Sequence, residues 1–466
     1  MALPNGELKH RNIKLVNGDA LAALEQGWLH YKESLQLRKI QSPVRTRLNF
    51  HHLSLGDISP TSTSSFSFHT PARVPSRKAC ILSIDGGRIR GIIPATLVLC
   101  YLEQTLQKKS GNSNARIADF FDIVAGSSVG GLIATMLCTN DGNGRPLFSA
   151  IEANKLITEE CKDSMFKISP IHPPTTCPKL CGLLTRHRRC RRYSTDDFER
   201  ILMRYLVRGQ RKLTLRDTIR PILIPCYDMS SAGAFLFSRA DAMRCESFDF
   251  TLAEVCRATT AVPGMFKPAK MSSVDGKTSV VGIDGGLVMN NPAATAITHV
   301  LHNTEEFPHV LDVGDTLVLS LGAGLGEERR YGHEEVIRWG PLEWAQPLAH
   351  IVLDGHSDMV DHFMSMAFRD HRNNYVRIQV SGVARGGRGK EELSSIAEEL
   401  LAKPCMEHIP FGGKRQLAVS NRERLDWFAD CLVAEQRARA AAATQAAAFP
   451  LTASTGTPGR PFTFAP

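Results

Sequence analysis

No part of this 466-residue chain carries an apolar run long enough to span a bilayer, which excludes a protein threaded through the membrane as helices. The stretch Met1 to Leu21 is broken by Asn5, Glu7, Lys9, Arg11, Lys14 and Asp19 before any apolar segment develops, so no secretory signal is expected. No repeat period is visible. Cysteine is not scarce, at 12 residues, yet Cys177, Cys181, His187 and Cys190 match no common structural zinc spacing. Several other cysteines (Cys80, Cys100, Cys138, Cys256) lie inside apolar patterns, as reduced core thiols of an intracellular protein do. What the chain does have is the balance of a soluble globular protein, with 43% hydrophobic and 22% charged residues and ample length for a large core. Its net charge of +9 favours anionic surfaces, and charge alone leaves lipid headgroups, nucleic acid and acidic protein open. The expectation is a cytosolic protein able to visit a membrane surface.

Leu21, Leu24, Trp28, Tyr31 and Leu35 recur at near-helical spacing and predict an N-terminal helix packed on the main domain. The Ser/Thr/Pro-rich stretch that follows reads as a linker. Ordered pattern begins with the apolar run Ala79 to Ile84, of the kind found in a strand buried on both faces. Pro94 then suits a first helical turn, with Leu97, Val98, Tyr101, Leu102 and Leu106 as the buried stripe. Strands are predicted at Phe120 to Ala125, Pro221 to Tyr227, Ala234 to Ser238, Thr278 to Ile283, Thr316 to Ser320 and Tyr375 to Val380, and helices follow several of them. Such alternation points to an α/β sheet with helices on both faces. From about Glu435 the chain turns Ala-rich and then Thr/Pro/Gly-rich, predicting a frayed helix and a disordered tail.

Three glycine-rich turns carry the chemistry. Gly126-Ser127-Ser128-Val129-Gly130 fits the nucleophile elbow, in which a serine occupies a tight strand-to-helix turn that only small flanking residues permit. Asp85-Gly86-Gly87-Arg88-Ile89-Arg90-Gly91 closes one strand and opens a helix, so its amides could converge on an oxyanion. A nucleotide-phosphate cradle is the rival, weakened because Arg88 stands where G-x-G-x-x-G needs its second glycine and no Lys-Ser/Thr ending follows. Asp284-Gly285-Gly286 places a carboxylate at a strand end, where it could serve as base for a serine. Taken singly, the Asp85 and Asp284 turns also fit a simple change of chain direction, whereas the strand before and the helix after it favour the elbow reading at Ser128.

Together and in this order, the three resemble the hallmarks of the patatin-like phospholipases. Arg257-Ala258-Thr259-Thr260-Ala261-Val262-Pro263, Asn290-Asn291-Pro292 and Leu319-Ser320-Leu321-Gly322-Ala323-Gly324 resemble further blocks of that family, and Ala115 to Phe121 and Ser238 to Ala242 resemble a plant subgroup. The resemblance runs from Cys80 to Gly324. It implies a three-layer α/β/α fold with a mostly parallel central sheet, plus helical N-terminal and C-terminal extensions. It also implies a Ser-Asp dyad without histidine: Ser128 as nucleophile, Asp284 as proton acceptor, and an oxyanion hole at Gly86, Gly87 and Arg88. Gly126 and Gly130 shape the elbow, and Gly285 and Gly286 the acid turn. The implied substrates are acyl esters of phospholipids and galactolipids met at a peripheral membrane surface, with no metal, cofactor or nucleic acid. Arg88 departs from a family pattern that has a third glycine there. Many members of the plant subgroup have glycine at the nucleophile position, where this chain keeps Ser128.

The expected division is 1–53 helical extension, 54–78 linker, 79–325 catalytic domain, 326–433 α/β completion of that domain, and 434–466 disordered tail. The basic run Arg186 to Arg192 reads as a headgroup-binding patch or a solvated loop, since no aromatics interleave with it as in nucleic-acid sites. His299, His302, His309, His333, His350 and His356 follow Asp284 and leave a Ser-Asp-His order formally open, although none has a recognisable catalytic context.

Overall fold

A computed structural model describes residues 77–87, 89–161, 169–170, 191–192, 194–323, 331–379, 390–409 and 413–448. The expected N-terminal helix, nearly all of the linker, Arg88, Gly324, the basic run up to Cys190, Cys177, Cys181, His187 and the chain beyond Ala448 lie outside the described residues.

The strands that build the site are β1 (Ala79–Ile84), β2 (Ile123–Gly126), β3 (Ile222–Asp228), β4 (Gly233–Ser238), β5 (Ala269–Ser272), β6 (Ser279–Ile283), β7 (Thr316–Gly322) and β8 (Tyr375–Gln379). They form one eight-stranded sheet in the order β8-β7-β1-β2-β3-β6-β5, with β4 paired on β3. From β8 to β3 all pairings are parallel, and β4, β6 and β5 add antiparallel edges. The sheet is thus mostly parallel at its centre. All six residues of β1 are buried, as a strand with helices over both faces requires.

The two faces of β1 open into two cores. Cys80, Leu82 and Ile84 point toward α1 (Ile89–Ser110), α2 (Val129–Cys138) and α3 (Leu252–Thr259), where Leu99, Leu102, Ile133 and Val255 pack. Ala79 and Ile81 point the other way, toward Ile297 and Val300 of α4 (Ala293–His302) and Val360 and Met364 of α5 (Pro341–Ala367). The strand period of two therefore assigns each side chain to one layer or the other. No helix among the described residues is long and apolar enough to cross a membrane.

Three features differ from expectation. Helix α1 starts at Ile89, so Pro94 sits inside it and costs one backbone hydrogen bond there rather than opening the first turn. The second strand starts at Ile123, because Asp119 accepts the Arg116 N–H at 2.8 Å and closes Ile117–Phe120 into a helical turn. The segment from residue 434, assigned to a disordered tail although its Ala-rich start predicts a frayed helix, is helical as far as Ala448, within α6 (Asn421–Ala448). Alanine favours helix intrinsically, and Arg439 anchors this end with bonds of 2.8 and 2.7 Å to both oxygens of Asp122. Phe428 and Leu432 of the same helix are buried in the core beneath β1.

Candidate active site

Ser128 lies between the end of β2 and the start of α2, with φ 51° and ψ −125°. A residue with a Cβ avoids this region, and holding one there costs roughly 1–3 kcal/mol. The surroundings fix it: the Ser128 N–H donates to Thr259 Oγ1 at 2.9 Å, and the Ser128 carbonyl accepts from Gly131 N–H at 3.0 Å. Glycine at 130 is needed for close approach, since a Cβ there would come within 2.4 Å of the Ile84 carbonyl oxygen and 2.5 Å of that of Asp85. A Cβ on Gly126 would meet the Gly130 carbonyl oxygen at 2.3 Å. The elbow thus presses α2 against the ends of β1 and β2 and leaves its N-terminal amides beside Ser128. The neighbouring Ser127 is fully buried, and its hydroxyl has no hydrogen-bond partner among the described residues.

Asp284 follows directly on β6. Its N–H donates to the Ala261 carbonyl at 3.1 Å, which aims the carboxylate toward the elbow. Oδ2 accepts the Ser128 hydroxyl at 2.6 Å, and Oδ1 accepts the Gly286 N–H at 2.7 Å. Both residues are nearly out of solvent, Ser128 at 3% and Asp284 at 5% exposure. Burial pushes the Asp284 carboxyl up to about 6, against the pull of the bonds from Ser128 and Gly286. A carboxylate so placed is ionised at neutral pH yet basic enough to take a proton. No histidine hydrogen-bonds to Ser128 or Asp284 among the described residues; His299 faces Asn303, 3.4 Å away.

The third turn, Asp85 to Gly87, sits against the elbow: a Cβ on Gly86 would lie 3.3 Å from Ser128 Cβ and 2.7 Å from Asn290 Oδ1. Here the geometry departs from the expected oxyanion set. The Gly86 N–H is already committed to the Asn290 carbonyl at 2.8 Å, while the Gly87 N–H has no acceptor among the described residues. The Asp85 carboxylate is held by Arg377 of β8 through bonds of 3.1 and 2.7 Å.

Sequence reasoning quoted Thr259, Asn290 and Asn291 only as parts of family-like blocks, and it read Arg377 merely as part of a strand. The available signal was an arginine flanked by Val376 and Ile378 within a predicted strand, because a buried cation must have partners. Among the described residues no cluster of three or more histidine, cysteine or acidic side chains could hold a metal ion.

The patatin-like phospholipase family model matches residues 82–297, which include all three turns. Patatin-like protein 6 of Arabidopsis thaliana is 42% identical over 405 residues, covering 84% of this chain and 79% of that protein. Patatin-like protein 8 of the same plant is 44% identical, covering 82% of this chain and 74% of its own length. A third Arabidopsis relative, at 45% identity over 77% of this chain and 87% of its own, is named probable inactive patatin-like protein 9. On this likeness the chain belongs to the patatin-like phospholipase family, a family of lipid acyl hydrolases.

Proposed function

We propose that this protein hydrolyses fatty-acyl esters of membrane lipids through a dyad of Ser128 and Asp284. The observation that carries the reading is the 2.6 Å bond from the Ser128 hydroxyl to a buried carboxylate whose other oxygen is fixed by a backbone amide. In the first step Ser128 Oγ attacks the ester carbonyl carbon and its proton passes to Asp284 Oδ2. Negative charge gathers on the former carbonyl oxygen, where the Gly87 N–H and the N-terminus of α2 stabilise it. On collapse the alcohol, a lysolipid, leaves with the proton from Asp284. Water, deprotonated by the same carboxylate, then releases the fatty acid and restores Ser128. Phospholipids and galactolipids are the substrates, reached at a membrane surface from the cytosol.

The test is fatty-acid release from phosphatidylcholine and from a galactolipid by the purified chain. Wild-type release well above that of Ser128→Ala is expected. Equal release would instead favour a catalytically impaired lipid-binding or regulatory protein; one 45% identical relative is itself named probable inactive.

A further inference from the structure

The loop that faces Ser128 is not self-supporting; it is clamped by residues far along the chain. Ser83, Ser320 and Arg377 stand opposite one another across β1, β7 and β8, so they share one face of the sheet. Along this row the Arg377 guanidinium passes Ser320, donating to its hydroxyl at 2.7 Å, and ends on both oxygens of Asp85. Its Nε lies 2.8 Å from Asp361 of α5, a buried ion pair whose angle falls short of a hydrogen bond. Asp361 also accepts the Asn291 side-chain amide at 2.9 Å, and one turn earlier Ser357 accepts that of Asn290 at 2.8 Å. The Asn290 carbonyl in turn takes the Gly86 N–H. The circuit is closed: Asp85, Arg377, Asp361, Asn291, Asn290, Gly86 and back to Asp85.

Every side chain in this ring is buried, and the Arg377 and Asp85 side chains are only 4% and 3% exposed. Two carboxylates flank one guanidinium, so the arginine stays charged. Ion pairs of this kind add little to stability compared with apolar packing, but they fix geometry and punish any mispairing. The two segments they join are the turn that carries the Gly87 amide and the segment just after Asp284. Arg377 and Asp361 both fall outside residues 82–297, the span matched by the family model.

We propose that Arg377, braced by Asp361, is the positioning residue that sets the oxyanion loop against Ser128. The assignment rests on the reading of Ser128 as nucleophile. Arg377 does not touch the reacting atoms; it acts through Asp85 on the backbone two residues further on. Replacing it with lysine keeps the charge but loses the fork that engages both Asp85 oxygens while facing Asp361.

The test compares full-length wild type with Arg377→Lys on a soluble short-chain ester and by amide hydrogen exchange over residues 82–91. A displaced loop is expected to lower kcat by about 10- to 100-fold, with KM within about twofold, because the charge it stabilises exists only in the transition state. Affinity for a trifluoromethyl ketone, which captures Ser128 as a tetrahedral oxyanion, falls in parallel with kcat/KM. Exchange at Gly86, whose N–H is bonded to the Asn290 carbonyl, quickens while the cooperative melt is retained. A folded Arg377→Lys variant with unchanged exchange and unchanged kcat would overturn the assignment. If that variant does not fold, Asp361→Asn, which keeps an acceptor for Asn291, carries the same readings. Wild type no faster than Ser128→Ala would refute the hydrolase reading, whereas the exchange measurement would still decide whether Arg377 holds the loop.

Discussion

Thr259 couples the two halves of the dyad: its hydroxyl accepts the Ser128 N–H at 2.9 Å, and its carbonyl accepts the Gly285 N–H at 2.9 Å. Thr259→Val keeps the shape and removes the side-chain acceptor, leaving the Ser128 amide buried without a partner. A loss of about 1–3 kcal/mol is expected from a denaturant melt. Ester turnover should fall together with stability, because the positive φ at Ser128 depends on that bond. A variant as active and as stable as wild type would show that the elbow holds itself.

The strain at Ser128 predicts a difference between two inactive variants. Ser128→Gly and Ser128→Ala both remove the hydroxyl of the proposed nucleophile, but only glycine accepts φ 51° without penalty. Ser128→Gly is therefore expected to be more stable than Ser128→Ala by about 1 kcal/mol, read from thermal melts at one pH. Equal melts would mean that the elbow relaxes once the hydroxyl is gone.

Asp284 makes both activity and stability depend on pH. In the proposed dyad it must be ionised to accept the serine proton, so kcat/KM is expected to climb through about pH 6 and to lose about tenfold per unit below it. For stability the sign is opposite. The folded carboxyl titrates near 6, above the ordinary 3.8, so the folded state holds its proton more tightly than the unfolded chain. Its contribution is thus most favourable at acid pH and declines as pH rises from about 4 to 6. Asp284→Asn should then be stabilising by about 1–2 kcal/mol at pH 7.5 and nearly neutral at pH 4, measured by melts at both values. A variant less stable at pH 7.5 than at pH 4, relative to wild type, would contradict the burial argument.

Gly130→Ala tests the close approach of α2. With backbone oxygens at 2.4 and 2.5 Å from the added methyl group, the helix must move off β1. A destabilisation of about 1–3 kcal/mol or more is expected, together with loss of turnover. The same substitution at Gly111, where a Cβ meets nothing within 4 Å but φ is +74°, should leave activity intact.

Cutting the chain before residue 434 would remove Arg439 and Glu435, which hold Asp122 and the backbone of Lys78. Arg439→Ala alone is expected to cost about 1–3 kcal/mol, since it leaves the largely buried Asp122 without its cation. A truncation after residue 433 that melted like wild type would show this end of α6 to be dispensable.

How much of this was legible in the sequence follows from the range of the interactions. The Ser128 elbow and the Asp284 turn are local: glycines, an apolar strand before and a helix after, all within a few residues. Seven of the eight strands were legible for the same reason, as short apolar runs ending in turns, whereas β5, a four-residue edge strand with Lys270 and Ser272 on its exposed face, was not. Thr259, Asn290 and Asn291 were visible only as shared blocks, because their roles need partners from other elements. Arg377 was not legible as a site residue, since nothing near it in sequence announces Asp85, 292 positions away. The commitment of the Gly86 amide to Asn290 was hidden likewise. The Ala-rich segment was legible as helix from its composition, but its anchor, the ion pair of Arg439 with Asp122, was not, because Asp122 lies 317 positions away.

The clamp on Asp85 also has a consequence for the order in which the molecule is made. Ser128 and Asp284 are 156 residues apart, and Asp85 must wait for an arginine 292 residues later. β1 lies between β2, which emerges soon after it, and β7, which arrives only after most of the domain. Parallel pairings over such separations close slowly during folding. A growing chain on the ribosome therefore completes its elbow and acid turn well before it can lock the loop opposite them. Until β8 has emerged and paired with β7, Ser128 and Asp284 are present without the clamp, so under the proposed mechanism hydrolysis would begin only once synthesis has passed Arg377.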